Sequence, residues 1–328
     1  MTKLRPFIIG AVGGVLGLAI LPISGLLSFS ADPAQSDLTD LYFRLASRQS
    51  IALRSFDLTV PPLDDPAMVQ RASGHYELVC ATCHGSPAGP PEQFAQELSP
   101  QPPLLMQQME RWRPDARLFW TVRHGIRRTA MPGWPSEVRD DEVWDMVAFL
   151  GVMAEMDASQ YRAMAGTASC TDCHGENGEG GVAGQPRLDI QDPQYIAAAL
   201  RAFRDGTRES GTMKAVAAQL DETAIAELAT KFGRSAKFEP DGATRGAEIA
   251  RTGIPQADVA ACDSCHGETG NPIYPRLAGQ DTAYLLRQLK LFAELGIERG
   301  GPYANIMAHA IGNLSEEDMH AVAEWYGE

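Results

Sequence analysis

The sequence has no cysteine to spare. All six lie in three short segments, CATCHG at 80–85, CTDCHG at 170–175 and CDSCHG at 262–267, so none is left for a structural disulfide elsewhere. Basic residues are also short, 28 Lys and Arg against 42 Asp and Glu. The resulting net charge of −14 argues against a chain that grips a nucleic-acid backbone. It suits a surface that repels its own kind. Aromatic residues make up only 7% of the 328, modest for filling several cores. A bound apolar cofactor could supply the missing bulk. Strand signals are scarce, which points to a helical protein.

Charge is missing from the N-terminal stretch. Lys3 and Arg5 are the only charged residues before Asp32. The apolar run Pro6–Ala31 exceeds the core of a signal peptide and is long enough to span a bilayer. We expect residues 1–31 to be an N-terminal membrane anchor, with Lys3 and Arg5 on the cytoplasmic side and the rest exported to the periplasm. The alternative is a cleaved signal peptide, for which Ser28, Ser30 and Ala31 offer small residues.

Each motif is C-x-x-C followed at once by histidine: Cys80, Cys83 and His84; Cys170, Cys173 and His174; Cys262, Cys265 and His266. A redox disulfide of the thioredoxin type needs a βαβ surround, and none is visible. A zinc site needs four ligands, and three motifs about 90 residues apart do not pair evenly. Covalent haem attachment accounts for every residue. The two thiols add across the vinyl groups of the haem, and the adjacent histidine reaches the iron. Three covalently bound haem c groups are therefore expected.

Beyond the motifs, two segments repeat. QPRLDIQDPQYIAAALRAFRDG follows the second motif and YPRLAGQDTAYLLRQLKLFAELG follows the third. Pro186/Pro275, Arg187/Arg276, Leu188/Leu277, Tyr195/Tyr284, Leu200/Leu289 and Phe203/Phe292 keep a constant offset of 89. Met213/Met307, Leu220/Leu314 and Gly233/Gly327 keep an offset of 94. Tyr284, Leu285, Leu289 and Phe292 share one helical face, as do Tyr195, Ile196, Leu200 and Phe203. Each repeat ends in a further helix, starting at Asp221 or Ser315 as N-cap. The first motif sits in a cousin without the PRL block, closed by a helix over RDDEVWDMVAFLGVM. The expected division is a juxtamembrane helix and linker over 32–67 and three domains over 68–156, 157–237 and 240–328.

A histidine leaves one face of the iron open, and methionine is the soft ligand that fills it and favours reduced iron. Met213 lies 39 residues after His174, and Met307 lies 41 after His266, matched by the repeat. Met131 lies 47 after His84 and is followed by Pro132, which keeps the chain out of helix there. Met106, Met109, Met146 and Met153 sit in helix-like stretches and are expected in the core, and Met319 lies inside the closing helix. His75, His124, His309 and His320 are expected at the surface or beside haem propionates. The carbonyls of Pro186 and Pro275 could take the ring N–H of the motif histidine, and Arg187 and Arg276 could pair with propionates.

The combination of C-x-x-C-H, a downstream methionine and a closing helix resembles class I cytochrome c. The second and third domains are similar to the tandem dihaem cytochromes c of the c-four type. The first domain, with GHYELVCATCHG and TAMPGWP, resembles the cytochrome domains of cbb-type oxidases. The resemblance implies an all-α fold of three domains behind the N-terminal helix, with axial pairs His84/Met131, His174/Met213 and His266/Met307. It implies an electron carrier with no small-molecule substrate, working at the membrane between a quinol-oxidising complex and a haem–copper terminal oxidase. Two alternatives stand beside it: the cytochrome subunit of a membrane-bound alcohol or sugar-acid dehydrogenase, and a haem peroxidase. A run of arginines, Arg111, Arg113, Arg117, Arg123, Arg127 and Arg128, is expected to give the first domain a distinct docking face. Over 37–58, Leu38, Leu41, Tyr42 and Leu45 fall on one face of a helix that either docks or acts as a spacer.

Overall fold

The computed structural model describes residues 37–108, 116–167, 169–182, 184–267 and 270–327, with residues 20, 23 and 24. The apolar run proposed as an anchor, Met109, Arg111 and Arg113 lie outside the described residues. Among the described residues no helix is long and apolar enough to cross a membrane. Every element described is helical, and strand pairing is limited to isolated bridges.

Helix α1 (Asp37–Arg54) precedes the first domain and leans on it through Phe43, whose ring lies 4.6 Å from the Arg128 guanidinium. Leu41, Tyr42 and Leu45 are exposed. Helix α2 (Pro66–His75) starts where Asp65 accepts the Ala67 N–H at 2.9 Å, with Pro66 in the position where no amide is needed. It runs through one wide turn, Tyr76–Cys80, into α3 (Ala81–His84). After α4 (Ala116–His124) and a loop, α5 (Asp140–Met153) closes the domain. Three acidic residues in its first turn suit the positive end of the helix. Tyr76, Phe149 and Tyr161 are fully buried between α2, α5 and α6 (Ala158–Ala165).

Helix α6 departs from the expected boundary at 156/157. Tyr161 and Ala165 belong to the first core, and the Tyr161 hydroxyl donates to Glu77 at 2.6 Å. The second domain is then α7 (Cys170–His174), α8 (Pro193–Arg204), α9 (Gly211–Ala217) and α10 (Glu222–Phe232), with Ile196, Ala229 and Phe232 packed together and Ile190, Phe203, Ala217 and Ile225 also buried. The third comprises α11 (Arg245–Thr252), α12 (Asp263–His266), α13 (Thr282–Leu295), α14 (Ala304–Ile311) and α15 (Glu316–Tyr326). Its core is far larger, with α11 crossing α15 through Gly246. Asp221 and Ser315 cap α10 and α15 as expected, accepting the N–H groups of Ala224 and Asp318.

Reciprocal bonds join the second and third domains. The Gln191 amide donates to the Arg276 carbonyl and accepts its N–H, both at 2.9 Å. Gln280 does the same with Arg187, at 3.1 and 2.6 Å. Helix α5 reaches the third domain too, since Arg287 pairs with Asp141 and Asp145.

Candidate functional site

Each motif forms a short helix ending on its histidine; the first cysteine begins it at Cys170 and immediately precedes it at Cys80 and Cys262, so the two cysteines lie about one turn apart. Gly85 and Gly175 follow in the left-handed region, at φ +68° and +83°, and turn the chain away from the ring. Local bonds fix each helix. Tyr76 donates to the Gly85 carbonyl at 2.6 Å, Asp172 accepts the N–H groups of Thr167 and Ser169, and Tyr326 donates to Asp263 at 2.5 Å. None of the six cysteines is paired in a disulfide. Burial pushes the Cys80 thiol up to about 12 and the Cys262 thiol to about 11, which keeps both sulfurs uncharged.

All three motif histidines have the same partner type. Nδ1–H donates to a proline carbonyl: His84 to Pro103 at 2.8 Å, His174 to Pro186 at 2.9 Å and His266 to Pro275 at 2.7 Å. A carbonyl can only accept, so the proton is on Nδ1 and the Nε2 lone pair is free for a metal. Burial lowers the pKa of each ring against the carbonyl's opposing pull, which favours the neutral ligand form. The carbonyls of Pro186 and Pro275 are those expected. Pro103 stands 19 residues beyond His84 in a proline-rich loop where no spacing singles it out.

A cavity of about 640 Å³ lies where the second and third domains meet, and first-domain residues including His75, Trp134 and Glu142 complete its wall. Cys170, Cys173, His174 and Met213 line one part, and Cys262, Cys265, His266 and Met307 the other. The rest is largely apolar, including Leu200 and Phe203 on one side and Leu289 and Phe292 on the other. Met213 and Met307 sit within α9 and α14. Met131 lies outside this cavity, on the loop after α4, as do Cys80, Cys83 and His84. Gly125 (φ +63°) lets that loop pass, since a Cβ there would lie 2.5 Å from the Pro132 backbone. Met146, Met153 and Met319 are core residues.

Two arginines, Arg299 buried and Arg208 half-buried, face the cavity without a carboxylate. The Arg208 guanidinium lies over Phe203 at 4.6 Å and donates to the Tyr195 and Tyr284 hydroxyls at 3.0 and 3.4 Å. Arg299 lies over Phe292 at 5.4 Å and donates to Gln288, and its Nη1 has no partner. Among the described residues neither is in an ion pair. Burial, with Arg208 and Arg139 nearby, lowers Arg299 to about 9. Buried cations of this kind need anions. A haem supplies an apolar macrocycle for the cavity walls and propionates for the arginines, so the residues present fit the group. Arg187, expected in the propionate role, is paired with Asp189 at 2.9 Å and lies over Phe238. Arg276 lines the cavity as expected. Of the two positions expected for His75 the surface is excluded: it lines the cavity, buried against Trp134 with ring centroids 4.6 Å apart and Nδ1 unpartnered. His124, His309 and His320 are exposed.

Residues 67–150 match the family model for cytochrome c oxidase, cbb3-type, subunit III, and residues 243–326 match that for cytochrome c. A thiosulfate dehydrogenase electron acceptor from Thiomonas intermedia is 32% identical over 55% of this chain and 87% of its own length. The chain is a multi-domain c-type cytochrome. Cytochrome c4 from Thiocapsa roseopersicina is 30% identical over 48% of this chain and 84% of its own. A second thiosulfate dehydrogenase electron acceptor, from Stutzerimonas stutzeri, is 33% identical over 48% and 77%. A solved cytochrome c4 structure from Acidithiobacillus ferrooxidans is 30% identical and covers 48% of this chain and 96% of that chain, at a TM-score of 0.42. Cytochrome c domains bind haem c covalently, and the three Cys-x-x-Cys-His sites of this cytochrome suggest three haems. The class is that of electron-transfer proteins.

Proposed function

We propose that this cytochrome is a membrane-anchored trihaem wire. His84 and Met131, His174 and Met213, and His266 and Met307 are the residues that would hold the three irons. The observation that carries the reading is the shared cavity, in which two complete sets of two cysteines, a histidine and a methionine meet across one domain junction. Bound haem supplies reversible one-electron chemistry at iron. The chain's residues supply a neutral imidazole fixed by a proline carbonyl, a soft sixth ligand and an apolar wall that limits water. Arg208 and Arg299, both lining the cavity, would neutralise the propionates of groups bound there. A methionine on every iron leaves no position for a substrate, which separates the wire from a peroxidase.

The run Pro6–Ala31 anchors the chain in the cytoplasmic membrane with the haem domains in the periplasm, and a haem–copper terminal oxidase takes the electrons. Two relatives are named for accepting electrons from thiosulfate dehydrogenase, which favours a sulfur-compound dehydrogenase as donor over a quinol-oxidising complex. A haem count with an optical redox titration of the full-length protein tests the core reading. Three low-spin haems and no reaction with carbon monoxide are expected. A high-spin ferrous component that binds carbon monoxide would overturn the wire. Rapid reduction by a thiosulfate dehydrogenase with its substrate, and not by a quinol-oxidising complex, tests the donor.

A further inference from the structure

The first domain touches the second at a place that matters for the second domain's iron. Glu142, in the first turn of α5, is buried, and both its carboxylate oxygens are directed across the junction. Oε1 accepts the Ser210 hydroxyl at 2.6 Å, and Oε2 accepts the Gly211 N–H at 2.6 Å. Ser210 Oγ in turn accepts the N–H of Met213 at 3.1 Å. The chain from carboxylate to hydroxyl to the Met213 amide is therefore continuous. On the first-domain side Trp134 Nε1 donates to the same Oε2 at 3.2 Å, and Arg139 pairs with Oε1 at 3.0 Å. Arg139 also donates to the Glu209 carbonyl at 3.0 Å, and Ser136 donates to the Glu209 side chain at 2.5 Å.

Packing closes the same contact. The Trp134 indole lies so near Gly211 that a Cβ there would be 2.0 Å from Nε1, so only glycine fits two residues before Met213. Trp134 itself comes three residues after Met131. The two loops that carry Met131 and Met213 are thus pressed together. The third domain meets the start of the same segment through backbone bonds, from Gly301 N–H to the Thr207 carbonyl at 2.6 Å and from Glu209 N–H to the Arg299 carbonyl at 3.3 Å, while its own Met307 N–H is accepted by the Tyr303 carbonyl within the domain.

We propose that Glu142 is a positioning residue for the iron of the second domain: from the first domain it fixes the segment 209–213 and so holds Met213 on its haem. The proposal rests on the reading of Met213 as the sixth ligand. Its consequence is that the first domain sets the ligation, and hence the potential, of a haem that it does not bind.

The test uses the full-length, haem-loaded protein and two readouts. One is the weak far-red methionine–iron band of the ferric form, and the other is the set of three midpoint potentials. Glu142→Gln keeps the size of the side chain but offers one acceptor where two are used. It is expected to lose up to one site's share of the far-red band and to lower one of the three potentials, leaving two unmoved. Glu142→Ala is expected to lose that share fully, and where it does not accumulate Ser210→Ala reads the same link from the other side. Met213→Ala removes the ligand itself and should abolish the same share. If Met213→Ala reduces the band and the Glu142 and Ser210 variants do not, the positioning role is overturned and the axial reading stands. If Met213→Ala leaves the band whole, the axial reading falls and the positioning role with it. Ser136→Ala removes only the neighbouring bond to Glu209 and should leave the band unchanged. An equal loss there would mean that any loosening of the junction has this effect, and would overturn the role given to Glu142.

Discussion

The second and third domains descend from one sequence repeat, yet they are built differently inside. In the third, α11 crosses α15 at Gly246, where a Cβ would meet the Ala321 carbonyl at 2.0 Å, and a core of thirteen buried residues forms around that crossing. The corresponding helix of the second repeat, α6, packs on the first domain instead, and the contiguous buried cluster left in the second domain is the smaller one of Ile196, Ala229 and Phe232. Counted back seven residues from the cap glycines Gly253 and Gly166, the position of Gly246 is Ser159 in α6. A side chain at that position forbids the close crossing, and the helix finds its apolar partners next door. A repeat therefore fixes its motif histidine and the proline carbonyl that holds it more firmly than where its helices pack.

The sharpest way to break this comparison is to separate the parts. A fragment over 240–328 should take up haem and melt cooperatively on its own. A fragment over 157–237 should not, unless 66–156 is supplied with it; haem loading and circular dichroism read both outcomes. A folded, haem-loaded 157–237 fragment would show that its small core suffices.

Acid should act next. His75 is held at about 4 by burial, with Glu142 opposing, against an ordinary value of 6.5. A histidine whose folded pKa is depressed is protonated more readily when unfolded, so stability is full above about 6.5 and is lost as pH falls towards 4. The loss is about 3 kcal/mol at most. It should fall on the first and second domains, since His75 lines their junction, and His75→Leu should remove it. Melting followed between pH 7 and 4 by a probe in each domain checks this, and equal acid sensitivity in the variant would refute it.

The smallest effect expected is at the helix crossing. Gly246→Ala forces α11 from α15 and should cost roughly 1–3 kcal/mol, as overpacking does. The exposed Ser159→Gly should stay within a few tenths beyond helix propensity, about 1 kcal/mol at most. Denaturant midpoints of the two variants give the comparison directly. Equal costs would mean that Gly246 is not what lets the third domain keep its own core.

Much of what lines the cavity was legible in the residues. The three motifs, the methionines paired by offset, the helix starts at Asp221 and Ser315 and the carbonyls of Pro186 and Pro275 all follow from local spacing or from the repeat. Contacts between domains were not. Nothing local marks Glu142 as facing Ser210, or His75 as buried under Trp134, because helical periodicity says which face is apolar and not what it meets. Arg208 and Arg299 were hidden by the insertion that shifts the repeat before Met307, while Arg187 was visible at constant offset and proved to be tied to Asp189. Within the arginine run, Arg123 pairs with Asp140 at 2.6 Å, and Arg128 lies over Phe43, contacts that the run itself does not foretell. Gln191 and Gln280 could have been found, since both lie in the aligned repeat at the same offset of 89 as the arginines they meet.

That glutamine exchange has a historical consequence. Each amide binds the main chain of the opposite arginine, and each arginine's main chain binds the opposite amide, so one patch recognises a copy of itself. Such an isologous contact is the kind made by two-fold homodimers. A single ancestral domain with P-R-L-x-x-Q would have carried everything needed to pair with its twin before a duplication joined them in one chain. Because the recognition is through backbone groups, the arginine side chains were free to diverge afterwards, and one of them has turned away to Asp189.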